Sequence, residues 1–192
     1  MSTFELYFRL GVTHILDLAG ADHILFIVAL CAVYTFADWR KILILVTSFT
    51  IGHSITLALS TLSIVKVDSA WVEFLIPVTI FITAAVNIFK PTAGKSKVHV
   101  NYIIGLVFGL IHGLGFSNYL RSLLGKESTI LEPLFAFNVG LEAGQIVIVA
   151  VFLAATALLQ KAFHIKQREI SLVVSSVVLG VSAMLILNSK FW

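Results

Sequence analysis

Apolar residues gather into long blocks at 12–36, 41–62, 71–89, 101–121, 133–159 and 170–188. Each block is long enough to carry a helix across the roughly 30 Å hydrocarbon core of a bilayer. Charged residues fall mostly between them. This pattern predicts an all-α fold, a polytopic integral membrane protein in which residues 1–192 make one transmembrane domain, a compact bundle of six transmembrane helices. The connectors at 37–40, 90–99 and 161–169 are too short for a separate soluble domain, so the chemistry belongs inside the bundle. The opening MSTFELYFRL lacks the basic start, apolar core and small-residue cleavage site of a signal peptide, which predicts that the first helix is retained.

Composition sharpens this expectation. Hydrophobic residues make up 59% of the 192 and charged residues 12%, too little polar surface for a soluble globular domain, and the partner implied is the lipid bilayer. Basic residues in short loops mark the cytoplasmic side. Arg40, Lys41, Lys90, Lys95, Lys97, Lys161, Lys166 and Arg168 fall on one side, and Arg9, Lys66, Arg121, Lys126 and Lys190 on the other, which predicts both termini outside. Trp39, Trp71 and Trp192 lie near expected boundaries, as interfacial anchors do. His99 and His164 flank basic loops and read as solvated, and Glu73 reads as interfacial. The net charge of +3 comes with no aromatic-interleaved basic patch, so nucleic acid is not an expected partner. The lone Cys31 excludes an intrachain disulfide. No phosphate-binding or dinucleotide fingerprint is present.

Against this background a few ionisable residues stand inside the apolar blocks: Asp22, His23, His53, His112 and Glu142. An ionisable group in hydrocarbon costs several kcal/mol unless it is paired, coordinated or hydrated. Counted from the expected outer ends, His53, His112 and Glu142 each lie about nine residues deep and His23 about eleven, roughly 13–17 Å at about 1.5 Å per residue. Four helices thus offer a metal-type ligand at one level near the midplane. Asn138, Glu142 and Gln145 fall on one stripe, and Thr50, His53 and Ser54 share a face. Gly105, Gly109 and Gly113 recur every four residues beside His112, a small-residue pattern for close helix packing. His14, Asp17 and Asp22 fit one broad face of the first helix, but His23 points opposite His14. Gly20 could break that helix; the simpler expectation keeps it straight, with His14 at the outer mouth and Asp22/His23 at the centre. Helices one to three and four to six are candidates for diverged halves, but GHS at 52–54 against IHG at 111–113 is too little to establish an internal repeat.

Imidazoles suit nickel, cobalt, zinc and copper, and carboxylates add charge compensation. His23, His53 and His112 could form the ligand set, with Asp22 or Glu142 as fourth ligand or as the acceptor that orients a histidine. His14, Asp17, Ser54, Asn138 and Gln145 are candidates for the surrounding shell. A lone buried histidine could equally serve an interhelical hydrogen bond; it is the depth-matched set that points to a metal.

The segments HILDLAGADHILF (14–26), FTIGHSITLAL (49–59), LIHGLGFSNYL (110–120) and FNVGLEAGQ (137–145) together resemble the motif series of the HupE/UreJ family of hydrogenase and urease accessory membrane proteins. The resemblance spans about residues 11–150. It implies a six-helix protein of a bacterial inner membrane that moves nickel or cobalt through histidine and acidic ligands. Asp22-His23 is also similar to the DH element of the wider nickel/cobalt transporters, whose upstream histidine lies closer than His14 does here. Two functions compete: a nickel or cobalt permease, and an intramembrane zinc-dependent hydrolase in which metal-bound water gives its proton to Glu142 or Asp22. The concentration of polar groups in the outer half, against scattered Thr83, Asn87 and Thr156 in the inner half, is the feature favouring the second.

Overall fold

The computed structural model describes residues 1–18, 20–89, 98–124 and 129–189, with side chains for all of these except 98–100 and 118. Eight α-helices form the described part: α1 Thr3–Ile15, α2 Asp22–Cys31, α3 Trp39–Thr61, α4 Ser69–Phe89, α5 Val98–Gly115, α6 Ser117–Leu124, α7 Leu131–Phe163 and α8 Gln167–Asn188. The stretches Phe36–Thr61, Ser69–Phe89, Leu131–Phe163 and Gln167–Asn188 are long and apolar enough to cross a membrane. Asp22–Cys31 and Asn101–Gly115 are shorter apolar helices.

The expected boundaries of the second, third, fifth and sixth spans agree with α3, α4, α7 and α8 to within a few residues, the largest difference being at the end of α7. The first and fourth need correction. Helix starts at Thr3 rather than 12, because Ser2 caps it by accepting from the Glu5 amide at 3.2 Å. It stops at Ile15, and a new helix starts at Asp22, whose Oδ1 accepts from the His23 amide at 2.9 Å. The expected helix 101–121 is likewise interrupted at Phe116, where the Ser117 hydroxyl turns back to the Leu114 carbonyl at 2.8 Å. Side-chain oxygens that satisfy backbone groups at both breaks make such irregular backbone tolerable inside apolar protein.

Contacts between elements set their directions. Phe4 at the start of α1 packs on Phe135 at the start of α7, whereas Asn101 near the start of α5 reaches Tyr34, just before α3. α1 and α7 thus start together, as do α3 and α5; because Gln167, bonded to Gln160 near the end of α7, also holds the Tyr34 carbonyl just before α3, the two pairs start from opposite ends of the bundle. Glu73 near the start of α4 shares a cleft with Asn188 at the end of α8, so those two helices run antiparallel. Gln167 at the start of α8 holds the Ala32 and Tyr34 carbonyls at 2.9 and 2.7 Å, and Asn87 near the end of α4 holds the Ala29 carbonyl at 2.7 Å. These bonds tie the end of α2 to the same end of the bundle.

Glycines bring helix backbones into contact. A Cβ at Gly52 would collide with the Leu106 carbonyl, and one at Gly109 with that of Phe49; the same reciprocity joins Gly11 with Phe137 and Gly140 with Phe8. In lipid, where helices gain little from burying apolar surface against each other, such close backbone approach is a main source of association. The core they enclose includes Tyr7, Phe26, Phe49 and Phe137, each at most 2% exposed. Trp39 and Trp71 are about half exposed, as boundary anchors would be. His164 is exposed and closes α7 in a left-handed conformation (φ 55°). Trp192 and the lysines at 90, 95, 97, 126 and 190 lie outside the described residues, and the His99 side chain is not described.

Candidate metal centre

The two helix breaks face each other across one cleft. His14, Asp17, Asp22 and His23 come from the break between α1 and α2, His112 and Phe116 from the break between α5 and α6, and Glu73 from α4. The cleft has a volume of about 240 Å³. His53 stands behind it on α3, held by the seam in which Gly109 and Gly113 bring α5 against its own backbone.

Ring centroids of His14 and His23 are 4.6 Å apart, of His23 and His112 5.4 Å, of His23 and His53 5.8 Å, and of His14 and His53 6.0 Å. One ring nitrogen from each of His14, His23 and His53 lies within 4.8 Å of the others. Metal–nitrogen bonds of about 2.0–2.1 Å require ligand nitrogens roughly 3.3 Å apart in a tetrahedron. The three rings are therefore close enough to converge on one ion after a contraction of at most about 1.5 Å.

Hydrogen bonding tests whether that ion fits. His53 is fully buried, and neither of its nitrogens has a partner among the described residues; the same holds for Nε2 of His14 and of His23 and for Nδ1 of His112. Buried polar atoms are nearly always satisfied in native structures, so these five imidazole nitrogens, three of them from the converging His14, His23 and His53, call for partners such as an ion or water. The other nitrogens of His23 and His112 are occupied. Asp22 Oδ1 lies 3.2 Å from His23 Nδ1, and Thr79 Oγ1 lies 2.9 Å from His112 Nε2. A carboxylate on Nδ1 fixes the ring and leaves Nε2 for a metal, the usual outer support of a histidine ligand.

His14 sits in the cluster rather than at an outer mouth, because the end of α1 at Ile15 and the new start at Asp22 remove the straight-helix phase that set it opposite His23. Phe116 backs its ring at 3.9 Å. Glu142, expected at the same depth, is turned elsewhere: it accepts from Thr47 at 2.5 Å, while Gln145, fully buried on the same helix, accepts from Thr50 at 2.7 Å. Asn138 lies with Glu142 in a separate apolar groove. Ser54 spends its hydroxyl on the Thr50 carbonyl at 2.6 Å. Thus the structure brings His14, Asp17, Asp22, His23, His53 and His112 together, and leaves Glu142, Asn138, Gln145 and Ser54 in or near the α3/α7 interface. Sequence reading missed Thr79, and Glu73, expected at an interface, is exposed near the start of α4 and also lines the cleft. The only signal for Thr79 was its four-residue spacing from Thr83.

The family model described as HupE/UreJ protein matches residues 1–189. No curated protein and no solved structure matches the chain significantly. The chain belongs to the HupE/UreJ family.

Proposed function

We propose that this protein is a divalent transition-metal permease for nickel or cobalt, with both termini outside and six spans, two of them interrupted. The observation that carries this reading is the convergence of His14, His23 and His53 nitrogens, orphaned and buried, at a pair of helix breaks. Secondary transporters typically bind cargo near the bilayer midplane at discontinuous helices, between halves that run in opposite senses. Here α1/α7 and α3/α5 start from opposite ends. His14, His23 and His53 take the ion, His112 completes or exchanges the set, and Asp22 orients His23 and offsets cargo charge. Imidazole donors fit nickel and cobalt, and a site wider than the bound geometry favours release as well as capture. Glu142, bonded to Thr47, acts in this reading on the α3/α7 contact rather than as a ligand.

A second reading, an intramembrane zinc hydrolase, draws on one feature: Asp22 and Glu73 share the 240 Å³ cleft with three of the histidines, so a carboxylate could take a proton from zinc-bound water. Reconstituted vesicles separate the two. Wild type should carry nickel or cobalt across the bilayer down an imposed gradient. Stoichiometric zinc binding with no flux under metal, proton or sodium gradients would end the permease reading and turn attention to hydrolysis.

A further inference from the structure

A permease needs a way onward from its binding site, and the expected inner half offered only scattered polar residues. The structure gathers two of them. On α4, Thr79, Thr83 and Asn87 follow at intervals of four, one stripe of the helix. Thr79 touches His112 Nε2 at 2.9 Å, and Thr83 donates to the Thr79 carbonyl at 2.8 Å. Eight residues of helix carry this stripe about 12 Å away from the histidines. It ends in a cavity of about 130 Å³ beside Tyr34 and Asn101, at the end of the bundle where α2 finishes and α3 starts. That is the end opposite the histidine cleft, which opens beside the start of α4.

The chemistry of this cavity differs from that of the cleft. The amide nitrogen of Asn87 is committed to the Ala29 carbonyl at 2.7 Å and that of Asn101 to the Tyr34 hydroxyl at 3.0 Å. Each amide thereby retains its oxygen as the group it can offer a cation. With the Thr83 and Tyr34 hydroxyls, the described lining presents four neutral oxygens in an otherwise apolar wall of aliphatic side chains and Phe108, and among the described residues it holds no imidazole or carboxylate. Between cavity and histidines stand three rings: Phe26 lies 5.0 Å from His112, 4.9 Å from Phe49 and 5.9 Å from Phe108. Phe26 and Phe49 are at most 1% exposed, and Phe108 forms part of the cavity wall. A dry aromatic constriction of this kind stops a hydrated ion. Pro77, inside α4 and just before the stripe, removes a helix hydrogen bond at the place where α4 would have to bend to part the rings.

We propose that the Tyr34/Thr83/Asn87/Asn101 cavity is the exit station of the metal path, a weak site for a partly hydrated divalent cation, and that Phe26, Phe49 and Phe108 are the closed gate between it and the histidines. The proposal rests on the permease reading. Neutral oxygens hold nickel or cobalt more weakly than imidazole does, which suits a station that must let cargo go.

The test uses the full chain in vesicles, with cobalt uptake read by an entrapped metal-sensitive dye. Thr83→Val combined with Asn87→Leu should lower uptake about tenfold while cobalt occupancy of the purified protein persists, and Phe26→Ala should raise the uptake rate several-fold. Wild-type uptake with neither variant altered overturns the exit station and leaves the permease standing; absence of wild-type uptake removes both. A labelling experiment covers the case in which the double variant fails to fold. In a Cys31→Ala chain, Asn101→Cys and Asp17→Cys should react with an impermeant thiol reagent from opposite sides of the membrane. Reaction of both from one side, or no reaction of Asn101→Cys from either, overturns the proposal.

Discussion

The α1/α7 and α3/α5 seams are built to the same plan and differ in what they carry. Gly109 faces the Phe49 carbonyl as Gly11 faces that of Phe137, and Gly52 faces Leu106 as Gly140 faces Phe8. Four residues further on, Gly113 meets Thr56 where Ile15 meets Gly144. Phe49-Thr50-Ile51-Gly52 and Phe137-Asn138-Val139-Gly140 thus hold equivalent positions, and His112 follows Gly109 by three residues as His14 follows Gly11. After Gly52 comes His53; after Gly140 comes Leu141. The helix-packing device is paired while the ligand set is not, because glycine contacts are demanded by both seams and a single ion needs ligands at only one place. The comparison of GHS with IHG set α3 against α5, which are packing partners. The equivalent pairs are α3 with α7 and α1 with α5.

The largest effect is expected from breaking a seam. Gly109→Leu drives a side chain into the Phe49 carbonyl, and since backbone cannot yield as a side chain can, a loss of at least about 3 kcal/mol, or failure to fold, is expected in detergent unfolding. Gly11→Leu should do the same at the other seam if the two are equivalent; tolerance at one of them breaks the comparison.

Next comes the residue that distinguishes the seams. His53→Leu gives α3 the residue of α7, should leave the fold intact, and should weaken cobalt or nickel binding by roughly 100-fold or more, read by equilibrium dialysis. Leu141→His in that background should not restore binding. Recovery of binding there would mean that the seams are interchangeable in chemistry too.

Smaller is the expected effect of Asp22→Asn. The amide can still contact His23 but no longer stabilises metal-bound imidazole by charge, so affinity should fall about tenfold, with the wild-type value itself falling as the pH is lowered, because ligand nitrogens must be free of protons. An unchanged affinity would remove Asp22 from the site. The smallest change is Gly180→Ala. Nothing lies within 4 Å of a Cβ there, so the substitution should stabilise α8 by at most about 1 kcal/mol in thermal unfolding, the helix preference of alanine over glycine.

Much of this protein was legible before any coordinates. Apolar runs longer than any soluble helix requires dictated helices in lipid, since only internal hydrogen bonding satisfies the backbone there. Depth counting singled out His23, His53 and His112 as a group, because rise per residue is a local property of a helix. What local geometry could not supply was azimuth. His14 was set against His23 by the phase of one straight helix, and the end of α1 at Ile15 with a new start at Asp22 reset that phase. Glu142 matched the histidines in depth, yet Thr47 and Thr50 on the neighbouring helix receive the stripe that carries it. Hydrophobicity cannot reveal an interruption in an apolar run, because residues on both sides of the break are equally content in lipid. Which nitrogens converge, which carboxylate supports them and which helix lines the way out were decided by the packing of α1 on α7 and α3 on α5, where glycine contacts fix how each helix is turned.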